Sequence, residues 1–231
     1  MSEEKRDADS AFVHEHKLRF KMVPALGGVV TGVRDVPFGV SETADSYVQG
    51  IYWTALSDGN NGIALFNRGA MGSEREGDGG FSLMLAFAMY YIWRTVMLQG
   101  AYTYDFALWP FEGTWEAADL HRRALEYNFP LMGVGTAPGS GQLRSLFHPV
   151  AADSPGAVVS AMFPRDGATH LRLFEHRGKS TTVRLRAPSG GLTEVDLAGR
   201  PKGKASTRLR LSPWQIRTVR IDVPTNRGSV S

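Results

Sequence analysis

AYTYDFALWPFEGTWEAADLHRRALEYNFP, residues 101–130, decides how the rest of the chain is read. Tyr102, Tyr104 and Phe106 alternate with Thr103, Asp105 and Ala107, the period of two that turns one face of a strand to a core and the other to water. This predicts a strand over residues 102–108, ended by Pro110, which has no N–H to give a ladder. A short helix is predicted next, near residues 114–127. Thr114 or Gly113 can cap its start, and Glu116 and Asp119 place negative charge on the first turn, where the helix dipole favours it. Ala117, Leu120, Ala124 and Tyr127 form an apolar stripe. Glu116, Asp119, Arg123 and Glu126 form the wet face, with Asp119 and Arg123 at i,i+4 spacing. Asn128 is the expected left-handed cap, and Pro130 prevents continuation.

Outward from this stretch, further strands are predicted at residues 18–23, 47–55, 63–67 and 81–88. SEREGDGG, residues 73–80, reads as an exposed loop. GVGTAPGSG, residues 133–141, contains a G-x-G, but Pro138 and the lack of a following helical pattern deny it the context of a phosphate loop, and a flexible loop is expected. From residue 143 short strands alternate with turns at residues 164–167, 177–179 and 188–191. Val183 and Leu185 alternate with Thr182, Arg184 and Arg186, as in a sheet with one wet face. Trp214 and Ile216 fall on one face of the last strand, and Val219, Ile221 and Val223 on the other. A bulge near Arg217, or burial of both faces, accounts for the shift. Many short strands with one inserted helix predict an all-β fold, an antiparallel β-sandwich. Residues 1–13 are expected to be a disordered lead and residues 224–231 a tail. The folded region then runs over residues 14–223, with possible lobes at 14–142 and 143–223.

The chain has 231 residues, 42% of them apolar, enough for a substantial core. There is no cysteine, which excludes a disulfide framework and thiol chemistry and suits a reducing compartment. MSEEKRDADS has no apolar segment of a secretory signal, so a cytoplasmic location is expected. The apolar run of residues 81–93 is too short for a membrane helix, which needs roughly 20 residues. The net charge of +3 comes from dispersed Arg and Lys without a basic block, which argues against nucleic acid.

The opening stretch resembles the C-terminal β portion of glycoside hydrolase family 38 α-mannosidases, in which a strand ending in Ala-Leu-aromatic-Pro precedes a Trp-initiated helix and an Asn-x-Pro exit. Here these are Ala107-Leu108-Trp109-Pro110, Trp115 and Asn128-Phe129-Pro130. HKLRF (16–20), DVPFGV (35–40), ALSDGNNGIALFNRG (55–69), VVSAMF (158–163), LRLFEHRG (171–178), EVDLAGRP (194–201) and PWQIRTVRI (213–221) are similar in the same order. The chain departs from the family at Tyr102, Phe106 and Phe111, near which the family usually carries His. The resemblance implies a sandwich of the super-sandwich type. In the family, zinc and nearly all catalytic groups lie on an N-terminal barrel. The resemblance therefore implies a β domain that is inactive alone and supports a mannoside site formed with a separate barrel polypeptide or in a homo-oligomer. It would be a truncated gene product or half of a split enzyme, with the barrel docking near residues 81–93 or Phe38. No bound cofactor, metal site or catalytic residue is assigned to this chain, and zinc belongs to the complete family enzyme.

The residues allow further readings. His14 and His16 share a face if they lie on a strand but lack a third ligand. His121, His148, His170 and His176 read as ordinary surface or hydrogen-bonded core. Asp105 with Glu112 or Glu116 is the one acid pair to weigh, and turn hydrogen bonds explain it equally. Trp109, Trp115 and Tyr102 offer flat faces to a mannose-containing glycan, with Asp105 and Asp58 as hydroxyl acceptors and Trp53 and Trp93 as further aromatics. The alternative is that these rings build the core. A free-standing carbohydrate-binding or structural module is the alternative function.

Overall fold

The computed structural model describes residues 16–88, 101–133, 135, 151–186 and 191–221. The chain divides into two compact units. One comprises residues up to Pro37 with Ser41–Pro130, the other Phe38–Val40 with residues from Leu131 onward. The expected lead, the lobe boundary at 142/143, most of the Gly-rich stretch, His14, Trp93, His148, Val223 and the tail lie outside the described residues.

The first unit contains β1 (His16–Met22), β2 (Thr31–Val36), the Ser41–Thr43 part of β3 (Gly39–Thr43), β4 (Trp53–Ser57), β5 (Asn61–Asn67), β6 (Ser73–Arg75), β7 (Phe81–Ala88), β8 (Phe106–Glu112) and α1 (Leu120–Asn128). A sheet ordered β3-β2-β4-β5-β8 stands beside a sheet ordered β1-β7-β6. Their shared core is Leu56, Leu65, Phe81 and Leu83, edged by Met22, Leu26, Ile63 and Phe106. Side chains alternate across a strand, so Trp53, Ala55, Ala64 and Phe66 point to the opposite face of the larger sheet. There they are buried on the side where α1 presents Leu120, His121 and Ala124. One sheet is thus covered on both faces, and the helix is its second lid.

Pro110 does not end the pairing: it sits inside β8, opposite Ile63, and the strand occupies Phe106–Glu112 instead of residues 102–108. β8 is an edge strand. Gly113 N–H donates to the Asn60 carbonyl (2.7 Å), so alternate residues Phe111, Trp109 and Ala107 face β5 and Pro110 faces outward, where a missing N–H forfeits no bond. Proline here also blunts the exposed edge.

The helix begins six residues later than the expected start at residue 114. Thr114 caps a separate turn, accepting the Ala117 N–H on its hydroxyl (3.3 Å) and the Ala118 N–H on its carbonyl (3.0 Å). Asp119 then takes a left-handed conformation (φ 55°) that interrupts the coil before Leu120. In consequence Glu116 and Ala117 precede the helix and Ala117 is exposed. Arg122, not Arg123, pairs with Asp119 (2.6 Å) and also reaches Glu126 (2.6 Å). Asn128 is the last helical residue instead of a left-handed cap, and its amide donates to the Ala124 carbonyl (2.9 Å).

The strand expected over residues 47–55 is found at Trp53–Ser57, with Tyr47 making one bridge to Glu74. Strands β2, β3 and β6 were not legible in the pattern. Ser73, expected in an exposed loop, is buried in β6 and close to the Thr54 hydroxyl (3.3 Å). Phe81 and Leu83 are core residues, so that part of the run over residues 81–93 offers no docking surface.

The second unit contains β9 (Ala151–Asp153), β10 (Ala157–Arg165), β11 (Ala168–Glu175), β12 (Thr181–Arg186), β13 (Leu192–Val195), β14 (Pro201–Lys204), β15 (Arg208–Leu211) and β16 (Ile216–Ile221). Sheets ordered β10-β11-β16-β13-β14 and β15-β12-β9 enclose Leu171, Leu173, Val183, Leu185, Leu209, Leu211, Val219 and Ile221. Val183 and Leu185 point inward and Thr182, Arg184 and Arg186 outward, as the alternation requires. Asp166 and Gly167, both at positive φ, close the β10–β11 hairpin, the tight turn that an Asp-Gly pair favours. No bulge occurs near Arg217, because β16 pairs with β11 in unbroken register. Trp214 instead precedes the strand in a turn, and Thr218 and Val219 bury both faces. Among the described residues the chain is an antiparallel β-sandwich protein with a single helix.

Gly62 tests the packing of β5 against β8. A Cβ there would lie 2.1 Å from Phe111 Cζ. Gly62→Ala should destabilise the chain by about 1–3 kcal/mol in urea unfolding. In a Phe111→Ala background the same change should cost almost nothing, because the clash has no partner.

Candidate functional site

Trp53 and Trp115 are buried, with ring centroids 5.9 Å apart. The Trp53 indole N–H points at His121 Nδ1 (3.5 Å). These rings seat the helix on the sheet. Trp109, at the edge, is 39% exposed, lies 6.2 Å from the Phe66 ring and carries the Arg123 guanidinium over its face at 4.5 Å.

The candidate residues do not converge on one point. Asp58 closes the β4–β5 turn: its carboxylate accepts the N–H groups of Gly27 (3.0 Å), Asn60 (2.9 Å) and Asn61 (2.8 Å), which hold it below the usual carboxylate range. Asp105 lies at the other end of β5, beside Arg68 (3.8 Å). β5 alone separates these ends by roughly 20 Å at 3.3 Å per residue. The same spacing along β8 parts Asp105 from Glu112, so these two carboxylates cannot flank one glycosidic bond, which requires a separation below roughly 10 Å.

What does assemble is a hollow of about 180 Å³ lined by Arg68, Gly69, Ala70, Leu85, Thr103, Tyr104, Asp105 and Phe106. Tyr102, 53% exposed, stacks on Tyr104 with centroids 6.4 Å apart. Arg68 is the member that pattern reading missed. It donates to the Tyr127 carbonyl and lies over the Tyr127 ring at 4.6 Å, which fixes its guanidinium facing Asp105. A clamped cation beside a carboxylate, a threonine and two tyrosines can hold the hydroxyls of a polyol. A larger open groove of about 760 Å³, lined by Met22, Leu26, Ile63, Pro110, Phe111 and Glu112 among others, holds Glu112 but none of the proposed sugar contacts.

Among the described residues no three His, Asp or Glu side chains are grouped to hold a metal ion. Among those residues, too, no helix is long and apolar enough to cross a membrane.

Asp35, within DVPFGV, supports this end of the sheet. It is 2% exposed, and its carboxylate accepts the N–H groups of Tyr52 (3.0 Å) and Trp53 (3.1 Å). Asn67 holds the same segment from the other side, donating its amide to the Gly50 carbonyl (3.2 Å) and its N–H to the Tyr52 carbonyl (3.0 Å). Arg68 follows directly, so the brace positions the cation of the hollow. Burial pushes the Asp35 carboxyl up to about 6, against the pull of the backbone amides. The folded chain thus holds this proton more tightly than the unfolded one, so stability is greatest below the unfolded value near 4 and falls as pH rises toward 6. Wild type should lose up to about 3 kcal/mol over that range in urea unfolding, relative to an Asp35→Asn variant that lacks the titrating group.

No family model matches the sequence, and no curated protein matches it. Solved structures are similar to it in fold. An α-mannosidase from Enterococcus faecalis V583 superposes with a TM-score of 0.73 at 19% identity, over 89% of this chain and 26% of that one. A structure described as a protein in glycosyl hydrolase family 38 from Enterococcus faecalis gives the same TM-score of 0.73, 19% identity and the same coverage, 89% and 26%. The family resemblance carried by the sequence motifs thus recurs in the backbone: this chain has a fold found in family 38 α-mannosidases and spans about a quarter of the length of those chains.

Proposed function

We propose that the chain is the C-terminal β domain of an α-mannosidase-like glycoside hydrolase. It supports or completes a mannoside site formed with a separate catalytic barrel and does not cleave sugar alone. The observation that carries this reading is the fold likeness, which takes in 89% of this chain but only 26% of the α-mannosidase chain. The hollow at Arg68 and Asp105 supports it, because it offers hydroxyl-binding groups while its one carboxylate is neutralised by a cation. Cleavage with retention needs two carboxyl groups at about 5 Å, supplied here by the barrel. The partner is that barrel polypeptide or a second copy of the chain, the glycan contains mannose, and the compartment is the cytoplasm.

The chain alone, with zinc, should release no nitrophenol from a nitrophenyl α-mannoside, and addition of a barrel polypeptide encoded by a neighbouring reading frame should restore release. Chelator-sensitive hydrolysis by the purified chain would overturn this assignment. A second reading, a free-standing carbohydrate-binding module, draws on the exposure of Tyr102 and Trp109. On either reading Arg68→Ala should weaken binding of mannose oligosaccharides about tenfold, or ~1.4 kcal/mol, in calorimetric titration of the binding-competent protein.

A further inference from the structure

The second unit gathers charge that the sequence keeps apart. β12 (Thr181–Arg186) buries Val183 and Leu185 in the core, and β15 (Arg208–Leu211) buries Leu209 and Leu211. Side chains alternate along a strand, so Arg184 and Arg186 leave β12, and Arg208 and Arg210 leave β15, by the same outer face. All four arginines are exposed. The antiparallel register sets Arg184 directly opposite Arg208, and Arg210 opposite Thr182, which is exposed on the same face. Successive arginines on one strand stand roughly 7 Å apart, and the opposed pair about 5 Å apart at Cα.

Like charges set directly opposite one another across a ladder destabilise a sheet. Counter-charge is scarce around them. Asp153, on β9, shares the register row of Arg184. Among the described residues, the other carboxylates of the second unit are engaged elsewhere. Asp166 lies beside Arg165 (3.5 Å), Asp196 beside Arg200 (3.3 Å), and Glu194 with Arg217 and Lys202. Buried Glu175 accepts the N–H groups of Trp214 (2.8 Å) and Arg177 (2.8 Å). The opposed arginines thus work against the fold of the sheet, and a bound anion reverses that effect.

The chemistry of the face limits what it takes. β9, β12 and β15 carry no aromatic residue, so the bases of a single strand have nothing to stack on. The outward positions of β12 and β15 are arginine and threonine, without the apolar anchors of a membrane-bound face or the apolar centre of a protein interface. A three-stranded sheet is broader than the helix or two-stranded ribbon that a DNA major groove admits. A guanidinium forks onto a carboxylate through two parallel N–H bonds, and the Thr182 hydroxyl adds a partner for sugar hydroxyls.

We propose that this arginine face binds an acidic glycan, a chain of sugars whose carboxylates pair with Arg184, Arg208 and Arg210 as it lies along β12 and β15. The site is separate from the hollow at Arg68 and does not depend on the mannoside reading of the preceding subsection.

The test titrates the full chain with polygalacturonate in a calorimeter at low salt. Wild type should bind, and added salt should raise Kd about tenfold or more, because exposed charges are screened. Combining Arg184→Thr with Arg208→Thr should also raise Kd about tenfold or more, and should keep or raise the thermal midpoint, since it removes the opposed charges and leaves residues suited to a strand. The charge-matched combination of Lys202→Thr with Lys204→Thr, and separately Arg68→Ala, should leave Kd within about twofold. No binding by wild type, unchanged binding in the arginine variant, or an equal loss in the lysine or Arg68 variant overturns the proposal. So does duplex DNA that binds more tightly than polygalacturonate and is lost in the same arginine variant, which makes the face a phosphate contact instead.

Discussion

A buried carboxylate holds the first unit in register. Asp35 accepts backbone N–H groups from Tyr52 and Trp53, where the irregular segment of residues 48–52 enters β4. Such groups must be paired once they leave water. Gly50 is part of the same constraint, since a Cβ there would stand 2.0 Å from the Trp53 carbonyl. With this segment anchored, Trp53 enters β4 pointing at the helix side, Asn67 closes on Gly50, and Arg68 emerges at the end of β5 with its guanidinium above Tyr127. The carboxylate is costly to bury, as its raised proton affinity records.

The helix follows from the same logic. A sheet with two apolar faces needs two covers, and β1, β6 and β7 supply only one. Trp115, Leu120, His121 and Ala124 close the other around Trp53, so Trp115 is packing. The groups left at the rim are those with charge or hydroxyls: Arg68, Asp105, Thr103 and the tyrosines. Binding of hydroxyls is within their chemistry. Asp105 faces the Arg68 cation, and Glu112 ends the far side of β8.

Strands with strict alternation, such as β12, and those with dense apolar runs, such as β7, were legible in the sequence because their side chains alone report which face is buried. Strands β2 and β6 were not: Gly32, Asp35 and Ser73 are buried by contacts made with distant segments, and no local period records that. Pro110 misled for a related reason. Proline forbids a central strand and tolerates an edge, and the order of strands in a sheet is not written in any one of them. Of the proposed sugar contacts, the sequence offered residues by type alone. It had no means of knowing that Asp58 spends its oxygens on a turn.

By itself the sequence determined the all-β class, the presence of a helix between strands, a turn within residues 164–167 and the resemblance of its motifs to a mannosidase β portion. These depend on periodicity, turn chemistry and local order, all of which act over a few residues. Only the tertiary structure decided that Trp115 is core and that Arg68 stands with Asp105. Those outcomes depend on which distant backbones become neighbours, a choice set by burial and hydrogen bonding across sheets, where separation along the chain carries no weight.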